Sequence, residues 1–268
     1  MFEFLPNYKI AKENMLPRGF MSRGFSTYSN AYVITNENLR RSMQYMPKNC
    51  ENALVVAASG DHPLFCSLFG AKHVDTFDIS YNAKCIMDIK VAALQVLNKT
   101  EYWKLLCDLY RTYDIIEVKN MGRLLDLLSS VVVDYLWAMS SEPIFTNGCT
   151  PACNKDYAPT VAEYNKLRQI VKKPYNFILS DISQLWFKLP VQYDFIHLSN
   201  ILDYCQSEEK KEDVILSLIP HVNVGGTILM HDQLKCGTKQ ACEKIAANNP
   251  KLKYIYRGCS INTLIRTR

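Results

Sequence analysis

The stretch Ala53-Leu-Val-Val-Ala-Ala-Ser-Gly-Asp-His-Pro63, followed by Val74-Asp-Thr-Phe-Asp78, decides the architecture of this chain. An apolar run of strand length passes into small residues and a glycine. A proline then stands where a first helical turn accepts it, and a second apolar run closes on an aspartate. Strand, tight turn, helix and strand in that order predict two parallel strands joined by a helical crossover. From Gly60 to Asp78 is 18 residues. That is near the roughly 20 separating a glycine-bearing turn from the carboxylate that holds ribose hydroxyls in nucleotide-binding folds.

Working outward, the pattern repeats. Predicted strands at Ala53–Ala58, Val74–Asp78, Phe177–Ser180, Phe195–Ser199, Thr227–His231, Lys253–Tyr256 and Ile261–Arg266 make seven. A helix is predicted over Ala83–Leu97, where Ile86, Ile89, Lys90, Ala93 and Leu97 share one side. Only Arg257-Gly-Cys-Ser260 separates the last two strands, so they should form an antiparallel hairpin. The expected fold is α/β, a Rossmann-like and mostly parallel seven-stranded sheet ending in that hairpin. Residues 1–52 read as a polar, aromatic N-terminal arm or lid, which reads equally as a flexible terminus. The domain at 53–268 carries a helical insertion at 100–165, with helices at Glu101–Tyr113 and Leu124–Met139 and a loop containing Pro143, Gly148, Pro151 and Pro159. Insertions above a strand edge often build specificity; this one also reads as a structural cap.

The chain has 268 residues, 48% of them hydrophobic and 21% charged, which excludes a disordered protein. Lys plus Arg is 31 against 26 Asp plus Glu, a formal charge of +5. Such a surface suits an anionic small molecule, nucleotide or lipid head group, but lacks the dense basic blocks of a stable nucleic-acid binder. The start, Met1-Phe-Glu-Phe-Leu-Pro6, has no cationic leader before an apolar run. Leu124–Met139, broken by Asp126 and Asp134, falls short of the roughly 18 to 20 residues of a membrane span. A soluble, cytoplasmic protein is expected. The ten cysteines are scattered and read as reduced thiols, and Cys149 with Cys153 lacks the further ligands a metal site needs. There is no G-x-S-x-G elbow, phosphate loop or H-E-x-x-H, so hydrolase, NTPase and zinc-protease readings fall away.

Candidate site residues leave the strand ends. Ala58, Ser59, Gly60 and Asp61 form the first turn, and Asp78 with Ile79 ends the second strand. Small residues let backbone approach a ligand, and a carboxylate accepts from two adjacent hydroxyls. Asp61 would repel phosphate but suits an ammonium. Ser180-Asp181-Ile182, Ser199-Asn200 leading to Asp203-Tyr204, and His231-Asp232-Gln233 leave the other parallel strands, at the edge where open α/β sheets bind ligands. Taken singly, these aspartates also read as loop or helix caps, and the histidines as packed or solvated side chains.

A mostly parallel sheet with a terminal antiparallel hairpin resembles the class I S-adenosylmethionine (SAM) dependent transferases. Five stretches resemble one bacterial family in particular: Ala53–Pro63, Val74-Asp-Thr-Phe-Asp-Ile79, Lys90-Val-Ala-Ala-Leu94, Glu163-Tyr-Asn-Lys-Leu167 and Tyr193-Asp-Phe-Ile-His-Leu-Ser-Asn-Ile-Leu-Asp-Tyr204. That family is related to the SAM:diacylglycerol 3-amino-3-carboxypropyltransferase of betaine-lipid synthesis, and the resemblance spans about residues 25 to 235. Where the family commonly shows Asn-Pro after the ribose aspartate, this chain has Ser80-Tyr81-Asn82, which bears on the substrate more than on the cofactor. A second resemblance, in size and general character, is to the aminocarboxypropyl-transferring enzymes of microcin C maturation, whose acceptor is a peptidyl nucleotide.

The resemblance implies SAM as cofactor. Asp78 would hold the ribose, Asp181 the adenine, and Ser59 with Asp61 the methionine part, with Ala58, Gly60, Ile79, Ile182, Ser199 and Asn200 beside them. Tyr204, Asp203 or His231 would orient the acceptor or take its proton. Arg18 and Arg23 of the arm, with Tyr28, would close over an anionic acceptor. Attack on the γ-carbon of the methionine part moves an aminocarboxypropyl group and releases methylthioadenosine. Attack on the methyl makes the chain a methyltransferase instead, and a third reading is a catalytically silent SAM-binding partner. Lipid, nucleotide, peptide and small-amine acceptors stay open, as do a monomer, a homodimer and a partner enzyme.

Overall fold

The structure, a computed structural model, describes residues 5–13, 26–112, 114–146, 158–205 and 207–268. Its strands are β1 Ala31–Tyr32, β2 Asn52–Val56, β3 His73–Asp78, β4 Phe145–Thr146, β5 Asn176–Leu179, β6 Tyr193–His197, β7 Val222–His231, β8 Leu252–Gly258 and β9 Ile261–Arg266. The helices are α1 Tyr8–Glu13, α2 Leu39–Met43, α3 Asp61–Leu68, α4 Tyr81–Val96, α5 Lys99–Arg111, α6 Ser130–Ala138, α7 Val161–Ile170, α8 Glu208–Leu218 and α9 Thr238–Asn248.

Seven strands form one sheet in the order β5-β3-β2-β6-β7-β9-β8. β2 pairs in parallel with β3 and β6, β6 pairs in parallel with β7, and β9 runs antiparallel to both β7 and β8. The unbroken apolar run Ala53-Leu-Val-Val56 belongs to a central strand buried on both faces, as parallel strands usually are. The hairpin turns through Cys259 and Ser260, whose φ angles of 47° and 62° give the two left-handed positions that a tight two-residue turn matching strand twist requires.

By internal contacts the chain divides into two compact units. One comprises residues 1–38, 57–64 and 78–179, and the other residues 39–56, 65–77 and 180–268. In the first, α4 packs against β1, α5 and α7, and β1 pairs in parallel with β4. In the second, α8 and α9 pack together, and α9 lies on β8 and β9.

Local chemistry sets the helix ends. Asn98 and Thr160 each accept from the backbone of a glutamate three residues on, which reaches back to the cap, so capping boxes start α5 and α7. The expected helix over Leu124–Met139 is broken. Short 3-10 turns occupy Met121–Arg123 and Leu125–Leu127, Leu128 is extended, and Ser129 restarts the chain as the cap of α6 by accepting from Val132 N–H. A serine side chain that satisfies a free backbone donor favours a new start over continuation. The short β1–β4 pair, too brief to carry a period-2 signal, has no counterpart in the sequence reading. No described helix is long and apolar enough to cross a membrane.

Candidate functional site

The turn after β2 is built around backbone conformations that side chains resist. Ala58 has φ 46° and Gly60 φ 78°, and Gly60 N–H closes the turn on the Ala57 carbonyl at 2.6 Å. A Cβ on Gly60 would stand 2.8 Å from the Met87 Cα of α4, so glycine is needed for close approach as well as for its dihedral angle. A non-glycine residue in the left-handed region, such as Ala58, marks a constrained segment and is found disproportionately at binding sites.

Asp78 lies beside this turn. Its Oδ2 accepts Ala58 N–H at 2.9 Å and its Oδ1 accepts Ser80 N–H at 2.9 Å. Burial pushes its pKa up to about 6, against the N–H groups of Ser80, Ala58 and Ile79 and the charge of His62, which favour the carboxylate. Beyond the hydrogen bonds from Ala58 and Ser80, the carboxylate keeps acceptor capacity for a further donor. Ser80, Tyr81 and Asn82 fasten the N-terminal segment here. Ser80 caps α4 and its hydroxyl donates to the Ser29 carbonyl at 2.5 Å. Asn82 Nδ2 donates to the carbonyls of Tyr28 and Ser29, both at 3.1 Å, and Tyr81 N–H donates to the Thr27 carbonyl at 2.7 Å. Tyr28 is buried, its ring stacked on Tyr135 and its hydroxyl accepting Asn7 N–H at 2.8 Å. Arg18 and Arg23 lie outside the described residues, as do Cys149 and Cys153.

Asp61 is surrounded by donors from this chain. Oδ2 accepts the Ser59 hydroxyl and Thr35 N–H, each at 2.8 Å, and Oδ1 accepts the Lys90 ammonium at 2.5 Å. Lys90 is wholly buried, and burial drives its pKa down while Asp61 opposes that shift. Glu37 and His62 form a second buried pair at 3.3 Å. The Tyr102 hydroxyl of α5 is buried and has no hydrogen-bond partner among the described residues. Burial first, and the Asp61 charge second, hold that phenol well above its ordinary range. Lys90, Thr35 and Tyr102 did not emerge from the sequence as site residues. The available signal was a lysine on the apolar stripe of a helix, between Ile89 and Val91.

The remaining candidates belong to the second unit. Asp181 is exposed and caps a 3-10 turn that opens at Ile182, its Oδ1 accepting the N–H and hydroxyl of Ser183 at 2.8 and 2.5 Å. Ser199 has φ 55°, its N–H donates to His197 Nδ1 at 3.0 Å, and its carbonyl accepts His231 N–H at 2.7 Å. Asn200 Nδ2 donates to Gln233 Oε1 at 3.3 Å. Asp203 is 8% exposed; Oδ2 accepts Leu234 N–H at 3.0 Å, and buried Oδ1 has no partner among the described residues. Burial raises the Asp203 pKa, against the Leu234 N–H. His231 Nε2 shares a hydrogen bond with the buried Ser42 hydroxyl at 3.0 Å, whereas Tyr204 is exposed.

The strand order and terminal hairpin make the Rossmann-like, mostly parallel seven-stranded sheet that the sequence predicts. No protein-family model matches the chain, and no curated protein matches it in sequence. Among solved structures, it is similar to an N-methyltransferase from Bradyrhizobium japonicum WM9 in complex with S-adenosylhomocysteine. The identity is 10% and the TM-score 0.41, over 86% of this chain and 84% of that one. It is similar also to magnesium protoporphyrin IX methyltransferase from Synechocystis PCC 6803 with bound SAM, at 13% identity and TM-score 0.44, over 84% and 73% of the two chains. A ribosomal protein L11 methylase from Lactobacillus delbrueckii subsp. bulgaricus shows 14% identity and TM-score 0.42, over 86% and 77%.

Proposed function

We propose that this chain is a SAM-dependent transferase that moves the 3-amino-3-carboxypropyl group to a nucleophilic acceptor. The observation that carries the cofactor reading is Asp78, a carboxylate at the end of β3 that is fixed by the N–H groups of Ala58 and Ser80 and keeps acceptor capacity for a ribose hydroxyl. The constrained turn at Ala58 and Gly60 supports it, since small residues there admit a ligand to the backbone. The choice of aminocarboxypropyl over methyl transfer rests on the resemblance carried by Ser59-Gly60-Asp61 and Asp75-Thr-Phe-Asp78.

In this reading the acceptor's lone pair forms a bond to the γ-carbon. The γ-carbon–sulfur bond breaks, its electron pair stays on the sulfur of methylthioadenosine, and the acceptor's proton passes to a base. Asp203, Tyr204 and His231 are the candidates for that base, and the buried Asp203 Oδ1 has no partner among the described residues. His231 is held by Ser42, and Tyr204 contributes an exposed ring. The chain's main contribution is orientation, which for well-placed groups is worth about 7–11 kcal/mol.

The test is mass spectrometry of the purified protein incubated with SAM and a small-molecule extract. Methylthioadenosine above the protein-free control is the expected product. S-adenosylhomocysteine in its place identifies a methyltransferase, and neither product, with SAM bound, identifies a silent binding partner.

A further inference from the structure

The buried polar group around Asp61 has more donors than acceptors. Three of the carboxylate's roughly four acceptor sites are taken: one oxygen accepts Lys90, and the other accepts Ser59 and Thr35. It therefore has little capacity left for the ammonium of an amino-acid ligand. Lys90, by contrast, carries three N–H donors and makes one hydrogen bond among the described residues, although its side chain is wholly enclosed. Tyr102, 2% exposed, adds a hydroxyl without a partner among the described residues, from α5, which packs against the α4 helix that carries Lys90. Buried donors without acceptors are rare in folded proteins and point to a missing partner, and donors on an ammonium call for an anion or a strong acceptor.

We infer that Lys90 and Tyr102 form a carboxylate-recognition site, and that it receives the carboxylate of the amino-acid end of the ligand proposed above. The inference rests on the SAM reading and deepens it, by fixing which end of the methionine part the protein reads through a charge. Asp61 then acts as a positioning residue. It holds the ammonium in place and offsets its charge, so that Lys90 meets the ligand at the cost of one buried pair instead of an isolated cation. Ser59 and Thr35 N–H hold Asp61 in turn, which ties this subsite to the turn that carries Ala58 and Gly60.

The experiment measures equilibrium binding of three compounds to the full chain: SAM, its decarboxylated form, and methylthioadenosine, which lacks the amino-acid end. The wild-type chain is expected to bind SAM at least tenfold more tightly than decarboxylated SAM. Lys90→Met removes the ammonium but strands a buried carboxylate, so the double variant Asp61→Asn/Lys90→Met is measured with it to keep the interior neutral. In that double variant the preference should shrink to within about threefold while methylthioadenosine binding holds. Tyr102→Phe, which leaves the ion pair intact, should reduce the preference by a smaller factor. An unchanged preference in the folded double variant and in Tyr102→Phe overturns the inference and leaves the SAM reading standing. Equal wild-type affinity for SAM and its decarboxylated form does the same. A wild-type chain that binds neither SAM nor methylthioadenosine overturns the SAM reading and the inference together.

Discussion

Asp78 joins two opposing demands in one carboxyl group. Burial favours its protonated form, and the N–H groups of Ala58, Ser80 and Ile79 favour the charged one; burial prevails and sets the pKa at about 6 against an ordinary 3.8. A folded-state pKa above the unfolded one contributes stability that is fully present below about pH 3.8 and is lost as pH rises through about 6. Ligand hydroxyls donate to the charged form, so binding runs the other way. On the proposed reading, SAM affinity should fall as pH drops below about 6, by up to tenfold per pH unit, with proton release on binding near that pH. Calorimetry in buffers of different ionisation enthalpy measures both. Asp78→Asn should bind weakly at every pH, and a steep acid dependence surviving in that variant would assign the titration to another group.

At the scale of elements, the start of α4 does two things. Ser80 caps the helix by accepting Asn82 N–H at 3.2 Å, and its own hydroxyl reaches back to the Ser29 carbonyl. Asn82 adds two more bonds to that same stretch of backbone and accepts the Tyr135 hydroxyl at 2.8 Å. Tyr81 has a physical role here that a proline could not fill. Proline lacks the N–H that Tyr81 gives to the Thr27 carbonyl, and this chain uses that donor as a clasp. Ser80→Ala removes the cap and one clasp bond together. It should cost about 1–2 kcal/mol in urea denaturation and speed amide exchange at residues 26–30 more than at α5. Equal protection of residues 26–30 in the variant would mean that Asn82 and Tyr81 suffice to hold them.

At the scale of the molecule, the Lys90–Asp61 pair ties α4 to the turn after β2 and, through Thr35, to the N-terminal part of the same compact unit. A buried pair contributes little net stability compared with apolar replacements, but breaking one side is costly because a charge is left in the interior. Lys90→Met alone should destabilise the chain by about 3–5 kcal/mol. Asp61→Asn/Lys90→Met should recover most of that loss, and denaturation curves of the wild type, Asp61→Asn, Lys90→Met and the double variant give the coupling energy in one cycle. Additive losses would show that the two side chains do not depend on one another.

Much of this molecule was legible in the order of its residues. The seven strands of the main sheet, its mostly parallel character and the closing hairpin follow from apolar runs, a 3.6-residue stripe and turn chemistry, all of which act within a few residues along the chain. The glycine turn and Asp78 were legible for a related reason: a crossover of fixed length brings the ends of two neighbouring strands together, so a spacing of 18 residues carries spatial information. The break before α6 was missed because Ser129 weighs as one polar residue in a periodic pattern, though its hydroxyl satisfies a helix start. Packing in three dimensions decided the rest. Lys90 reads in sequence as a lysine on an apolar stripe, and only the fold shows that the stripe faces Asp61, 29 residues away. Asp61 reads as a free carboxylate, and only the fold shows its oxygens taken by Lys90, Ser59 and Thr35. Local periodicity fixes which face of an element turns inward, whereas the partner that a buried charge meets there depends on contacts between segments distant in sequence, which no local pattern encodes.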